Sequence, residues 1–600
     1  MVRVIFGLHM AQLQDLTLFD LPDDMLRVIS DYCDLTTRCA VTSTNSTALN
    51  SVLLGSVTLS KEVSERFLKD TELRLRICRR VNMPHRNLHL KVNINEAEYD
   101  PHIEILNSVR SVFLYSQNGA LNSTWANKLS RIQTLTKLSL RDTQVSDVSA
   151  LAALTNLTGL GLSVTQVSDL SALASLTNLS ILYLESTKII DVSDLGGLTN
   201  LTQLFLSDTQ VTDVYALAGL TNLTHLCLNR SQVSDLSPLA RLKNLTHLGL
   251  IGTKVSDFSA LKGLVNLTVL ELDKTQVSDV SALAGLTSLT YLGLSDTQVS
   301  DVAALGGLMN LIQLCLSRSQ VSEVSAVASL SNLTHLGLSG TQVSDSSVFE
   351  GLMNLTVLEL DNTQISDMSA LAGLTSLTYL ALSRTHISDF SALEGLMNLT
   401  ALELDDTQIS DVSVLSGLKS LTYLGLSDTQ LSDVSALAGL TNLTHLGLRG
   451  TQVTDASGLE GLSNLTILEL WNAPICDVSV LAGLTNLTIL VLCGTQVSDL
   501  SVLAGLTNLT ELLLNGTVVS DVSALAGLAN LTTLNLTDTQ VSDVSVLAGL
   551  TNLNSLDLSF TNVSDVSALA SLVNLTTLNL TETQVSDVSA LAGLQLTISR

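Results

Sequence analysis

The sequence predicts an α/β solenoid, a stack of short coils preceded by a small helical N-terminal module. Each coil gives one parallel strand to a concave face and one short helical turn to a convex face. Two observations carry this. A 22-residue phrase recurs without insertion or deletion from Ile132 to Gly593, making twenty-one complete coils. Within each coil the stretch L-T-x-L-x-L alternates apolar and polar residues, the period of a short half-buried strand. A fixed period of this length marks a repeat architecture: one coil cannot bury its apolar side alone, so coils stack and share a continuous core.

The coil reads L-x-N-L-T-x-L-x-L-x-x-T-Q-V-S-D-V-S-A-L-x-G. After the strand, Asp-Val-Ser-Ala-Leu predicts a short helical turn with Asp as its N-cap and the closing Gly ending it. The Asp column runs from Asp147 to Asp587 with Glu323 its single departure. A stripe for calcium or a basic partner is the functional reading of that column; capping in every coil is the structural one, and it is preferred. Fifteen coils carry Asn-Leu-Thr or Asn-Leu-Ser between Asn156 and Asn574. These are formal glycosylation acceptors, read as structural because they recur with the coil.

Composition narrows the function. Apolar residues make up 46% of the chain and aromatics 3%, so leucine, valine and alanine must form the core. The net charge of −27 opposes nucleic acid and anionic membranes as direct partners. Polar residues interrupt every leucine run, so no stretch is long and apolar enough to span a bilayer. The start, MVRVIFGLHMAQLQ, is too short and interrupted for a signal peptide. The seven cysteines lack CxxC pairs and regular spacing, which favours free thiols in a reducing compartment. The expected location is intracellular, cytoplasmic or nuclear.

The L-x-x-L-x-L core followed by T-x-V-x-D-V resembles the leucine-rich repeat proteins, in their short 22-residue subclass. The family usually places Asn after the strand, bonding adjacent coils. Here that column is Thr in eighteen coils, Ser at Ser231 and Ser319, and Ala473 once; a hydroxyl is expected to make part of the same ladder. The wording LTNLTxLxLxxTxVxDVSALAGL is similar to that of the expression-site-associated leucine-rich repeat proteins of trypanosomes. Some of those are labelled adenylate cyclase regulators, and some carry an N-terminal RING-type zinc module. Cys33, Cys39, Cys78, His85 and His89 lack the paired spacing of such a module.

Function should lie where the repeat rule relaxes. Two columns beside the strand leucines vary, one through Lys137, Gly159 and Ile181 and the other through Ser139, Gly161 and Tyr183. Variation on one face of a monotonous stack is what a protein-binding surface requires. The candidates for partner binding are Tyr183, Phe205, His225, Tyr291, Tyr379, Tyr423, His445, Arg449, Glu469 and Trp471, residue types that anchor protein interfaces. Glu271, Glu359 and Glu403, each followed two residues later by an Asp, favour a basic ligand surface. An echo at 88 residues (Cys227 and Cys315, His247 and His335, Tyr291 and Tyr379) shows that duplication copied some of these. His225, Cys227 and His247 could approach as metal ligands but lack a fourth. No catalytic residue, metal site or cofactor is assigned, and the protein is expected not to be an enzyme.

The chain divides into residues 1–50, a helical segment; 51–131, divergent coils with strands at LHLKV and VFLYS; 132–593, the repeats; and 594–600, an unfinished coil with no cap. Self-association is one way to cover that end. Within the first segment, LFDLPDDMLRVISDYCDLTTRCAV resembles a degenerate F-box, the module that docks a substrate receptor on the Skp1 adaptor of cullin ubiquitin ligases. The resemblance implies adaptor contacts from Leu21, Pro22, Met25, Leu26, Ile29 and Tyr32. A plain helical cap is the alternative. The expected function is a protein-binding scaffold using the concave face, with a ligase substrate receptor as its specific form. The alternatives are a signalling regulator of cyclase or phosphatase type and an extracellular adhesin.

Overall fold

The computed structural model describes Ser130, residues 133–600 and, earlier in the chain, the backbone of three strands, β1 (Ser56–Thr58), β2 (Asn87–Asn93) and β3 (Ser111–Tyr115). The F-box-like residues Leu21, Pro22, Met25, Leu26, Ile29 and Tyr32 lie outside the described residues. The expected strands at Leu88 and Val112 fall on β2 and β3; β1 had no counterpart in the reading of the sequence.

The chain forms two compact units, Met1–Glu271 and Leu272–Arg600. In the first, successive strands pair in parallel from β1 to the strand Val269–Glu271. From Lys137–Ser139 onward the register advances by one coil per strand, Leu138 facing Leu160 and Leu248 facing Leu270. The second unit repeats the arrangement from Tyr291–Gly293 to Thr577–Asn579. A final strand, Thr597–Ser599, pairs with Thr577–Asn579.

Seven apolar columns build the core. In the coil opening at Leu154 they are Leu154, Leu157, Leu160, Leu162, Val167, Leu170 and Leu173, each 0–2% exposed. The two strand leucines point inward because strand side chains alternate, and the residues between them face solvent. Burial of each leucine contributes roughly 1.5–3 kcal/mol, and each column gives a core side chain apolar neighbours in the adjacent coils, as Val148 and Val192 flank Leu170.

The turn opposite each strand is a 3-10 helix of three to five residues, as in Ser149–Ala153 and Ser281–Leu283. Its Leu is buried and its N–H bonds the carbonyl three residues back (Leu151 to Val148, 2.9 Å). The Asp expected as N-cap sits one residue before the observed N-cap, which is Val148 and not Asp147. The capping bond itself is present, since Asp147 Oδ1 accepts the Ser149 N–H at 2.8 Å. The same bond recurs down the column, for example at Asp301, Asp433 and Asp587. A 3-10 turn this short leaves its first N–H groups unpaired, and a carboxylate two residues upstream satisfies one of them.

Two further expectations are corrected. The Thr column does not link coils: Thr143 Oγ1 donates to Leu140 O within its own coil at 2.7 Å, and its equivalents do likewise. The ladder between coils belongs to the Asn column, where Asn156 Nδ2 donates to Gln133 O at 2.9 Å and Asn486 Nδ2 to Ser463 O at 2.8 Å, and to the residue two after it, where Thr158 Oγ1 donates to Thr136 O at 3.1 Å. The coil-closing Gly is not a left-handed cap either, except Gly461 (φ +86°). The left-handed residue is the one just before the Thr column, from Asp142 (φ +58°) to Glu582 (φ +57°), where sixteen side-chain-bearing residues and five glycines share the conformation. Among the described residues no helix is long and apolar enough to cross a membrane.

Candidate functional site

Because the strand leucines alternate, each strand presents two outward side chains, and a third follows just beyond it. All ten candidate side chains occupy these outward columns, but they form separate clusters.

In the first unit Tyr183 and Phe205, on adjacent strands, stack with ring centroids 4.7 Å apart and 10° between planes. His225 and His247 stack at 4.1 Å and 11°. Each imidazole Nδ1 lies within 2.9 Å of the hydroxyl of its own neighbour, Thr224 or Thr246. The histidines therefore present ring faces to each other instead of converging their nitrogens on an ion, and among the described residues no group of three metal-binding side chains occurs. Burial, then the neighbouring His247, depresses the His225 pKa. Burial and the carboxylates of Glu271 and Glu185 push the Cys227 thiol up to about 11, which disfavours the thiolate.

In the second unit the densest cluster spans three strands, Tyr423–Gly425, His445–Gly447 and Ile467–Glu469. The Tyr423 ring packs on His445 with centroids 4.7 Å apart, and His445 Nε2 lies 4.0 Å from Glu469 Oε1. Arg449 lies over the Trp471 ring at 4.3 Å, and its Nε is 3.9 Å from Asp428 Oδ2. Beside Trp471, Ile467 and Ile489 are paired across the ladder, as are Val491 and Leu513; all four are half-buried. The result is an apolar patch with an aromatic–arginine edge and a carboxylate in it, on an open sheet face. Tyr291 stands four strands before Tyr379 and joins neither this cluster nor a cluster with Tyr379.

Between them lies an acidic stretch. Asp361 and Asp405 are not free to meet a ligand with both oxygens: Asp361 Oδ1 accepts the Ser383 N–H at 2.9 Å, Asp405 Oδ1 the Ser427 N–H at 2.6 Å, each one coil onward. Glu403 Oε1 accepts the Tyr379 hydroxyl at 2.7 Å. Burial raises the Glu359, Asp361 and Glu403 carboxyls above their ordinary values, with the neighbouring acids adding to it. The same surroundings push the Tyr423 phenol up to about 12. Alternation read from sequence found these acids but not the backbone bonds of the aspartates. Those depend on a backbone N–H of the next coil.

Two contacts had no signal in the sequence reading. Arg230 pairs with Asp208 at 2.5 Å and Arg318 with Asp296 at 2.6 Å, each between adjacent coils and largely exposed; such pairs contribute little. A groove of about 520 Å³ runs along the strand edge, lined by Asn442, Thr444, Asn464, Thr466, Asn486, Thr488 and Asn508. Its amides and hydroxyls already donate to carbonyls of preceding coils, which leaves few donors for a ligand.

The family described as Leucine Rich repeats (2 copies) matches residues 199–241, 331–373, 354–395, 419–461, 507–549 and 551–593. With the stacked-coil architecture, this makes the chain a leucine-rich repeat protein. No curated protein matches the chain. Among solved structures it is similar to the leucine-rich repeat ectodomain of the plant membrane receptor kinase GASSHO1/SCHENGEN3 from Arabidopsis thaliana in complex with Casparian strip integrity factor 2. The two are 19% identical, with 85% of this chain and 74% of that one covered, at a TM-score of 0.53. It is also similar to the plant peptide hormone receptor RGFR1 in complex with RGF2, 19% identical over 85% of this chain and 96% of the receptor, TM-score 0.52. An internalin from Listeria monocytogenes is 32% identical over 50% of this chain and 89% of that one, TM-score 0.48.

Proposed function

We propose that the protein is a non-catalytic scaffold that holds a protein ligand on the strand face of its second unit, centred on Tyr423, His445, Arg449, Glu469 and Trp471. The observation that carries this is the Arg449–Trp471 stack beside the open patch of Ile467, Ile489, Val491 and Leu513. Aromatic and arginine anchors next to half-buried aliphatic side chains are what a protein interface concentrates at its centre. The plant structures of like fold that hold peptide ligands support a peptide or protein as the occupant. The variable columns of the first unit, with the Tyr183–Phe205 and His225–His247 stacks, form a second surface of the same kind.

A more specific form of this reading is a substrate receptor tethered to Skp1 and a cullin through residues 1–50, inside the cell. The F-box-like residues Leu21, Pro22, Met25, Leu26, Ile29 and Tyr32 favour it, and the likeness to trypanosome repeat proteins favours a cyclase regulator instead. Affinity purification with mass spectrometry separates them, comparing the wild type with Trp471→Ala and with Leu21→Ala/Ile29→Ala. A ligand lost only with Trp471→Ala, and Skp1 lost only with the N-terminal pair, supports a ligase receptor. A cyclase or phosphatase lost with Trp471→Ala makes it a regulator. Recovery of the same proteins with every variant removes strand-face binding. Glycans found on Asn156 or its equivalents would place the protein outside the cell and favour an adhesin.

A further inference from the structure

On the strand face of the second unit, Tyr379, Ala401 and Tyr423 stand in one outward column, paired Cα to Cα through Tyr379↔Ala401 and Ala401↔Tyr423. Adjacent strands lie about 4.8 Å apart, so the two tyrosines leave the backbone about 10 Å from each other, with only the Ala401 methyl group in the column between them. Carbon atoms in contact sit about 3.5–4 Å apart, so this gap takes one further planar group between the rings. Tyr423 is braced on its far side by His445, leaving its other face on the Ala401 side. Tyr379 is held by the bond from its hydroxyl to Glu403 Oε1 at 2.7 Å. Glu403 lies two residues beyond Ala401 and so on the same face.

The chemistry of the gap is set by what surrounds it. Glu403 has no cationic partner among the described residues; the nearby Arg384 is 3.8 Å from Asp406 instead. Its carboxyl is half-buried between Asp361 and Asp405, so it carries an uncompensated charge in a partly desolvated place. Within the second unit, two other positions of the same column are flanked by rings. Gln313 lies between Tyr291 and His335 and fills its gap, with Nε2 3.5 Å from His335 Nδ1. Val357, between His335 and Tyr379, is branched and larger. Ala401 is the smallest of the three, and it has a carboxylate on its own strand where Gln313 has Cys315.

We propose that this slot receives one basic side chain of the protein ligand, its cationic group lying between the Tyr379 and Tyr423 rings and against the Glu403 carboxylate. Arginine fits best, because a planar guanidinium stacks on aromatic faces and forks onto a carboxylate at once. The ligand is thus a basic segment crossing the strands, continuing toward the Trp471 patch. This rests on the strand face being the ligand surface.

The test is a random heptapeptide library displayed on phage and selected on the full chain. One enriched peptide is then titrated against wild type, Ala401→Gln, Glu403→Gln and Trp471→Ala. All three positions are on the open face, and circular dichroism confirms that each variant is folded. The expected result is enrichment of arginine, with lysine second, and at least a tenfold weakening by Ala401→Gln, by Glu403→Gln and by replacing the arginine with citrulline. Peptides without a basic residue, or binding indifferent to Ala401→Gln and Glu403→Gln, overturn the slot. If those peptides still depend on Trp471, strand-face binding stands without it; if no peptide depends on any of the three positions, both fall.

Discussion

Arg449 and Trp471 occupy the same outward column on neighbouring coils, the guanidinium 4.3 Å from the ring centroid. The pair is pre-formed: Asp428 reaches the arginine from the other side at 3.9 Å, and Trp471 remains 40% exposed. A ligand that covers the indole therefore meets a side chain already ordered and loses little more entropy there. Trp471→Ala should weaken the strand-face ligand by about tenfold or more and leave the denaturation midpoint unchanged. Titration of purified ligand against both proteins checks this. Unchanged affinity would move the interface elsewhere.

Ser231 and Ser319 hold the Thr column's place, but their buried hydroxyls have no hydrogen-bond partner among the described residues, whereas Thr209 and Thr297 bond the leucine carbonyl three residues back at 2.6 Å. The extra methyl of threonine restricts χ1 and directs the hydroxyl. Ser231→Thr and Ser319→Thr should each raise stability by about 1 kcal/mol, from one buried methyl and one satisfied hydroxyl. Urea midpoints of the single variants and the pair measure it, and the two gains should add because the sites lie far apart.

Val164 and Phe560 adopt φ of +58° and +57°, a region that costs side-chain-bearing residues roughly 1–2 kcal/mol. Asn362 and Asn472 occupy equivalent positions, and asparagine tolerates this conformation better than valine. Val164→Asn should therefore stabilise the protein by about 0.5–1 kcal/mol, seen as a higher denaturant midpoint. A lower midpoint would mean that contacts of the valine outweigh its backbone cost.

Asp147, Asp279, Asp433 and Asp543 have pKa values held below the ordinary 3.8, first by the backbone N–H they cap and then by the serine side chain. The unfolded chain binds protons on these groups more readily than the folded one. Their contribution is thus complete above pH 3.8 and is lost as pH falls through the lowered folded values. Glu359, Asp361 and Glu403 act with the opposite sign: burial raises them, so their contribution is greatest below the ordinary values and declines as pH rises through the raised ones. Glu359→Gln should accordingly raise the midpoint at pH 7 and do nothing at pH 3. Glu323→Asp, which restores a capping carboxylate of the usual length, should gain about 0.5–1 kcal/mol at pH 7.

Much of this was readable beforehand, for a physical reason. A strand leucine such as Leu160 is buried wherever the 22-residue phase holds, so counting locates both the core and the outward columns. Side-chain hydrogen bonds were harder. The Thr143 hydroxyl had two carbonyls within conceivable reach, and only the left-handed turn at Asp142 decides for its own coil. Five residues from an Asp to a Leu read as a helical turn without distinguishing 3-10 from α. The sequence reading picked large side chains as site residues, which found Tyr379 and Tyr423 but passed over Ala401. A small residue matters only through its neighbours.

The recurrent bonds that tie one coil to the previous one use atoms that nearly all coils possess: the Asn amide to a carbonyl 23 residues back, and the hydroxyl and N–H of the residue two after it, as at Thr202, to one 22 back. A cut-out of one whole phrase, Leu352–Gly373 for instance, would bring together partners of the same kind as those it separates. The gene can therefore gain or lose coils by unequal crossing-over with the fold intact, and each coil gained or lost brings three outward side chains onto the face or takes three away. What is inherited is a hydrogen-bonding grammar, while the surface a partner meets is free to be rewritten.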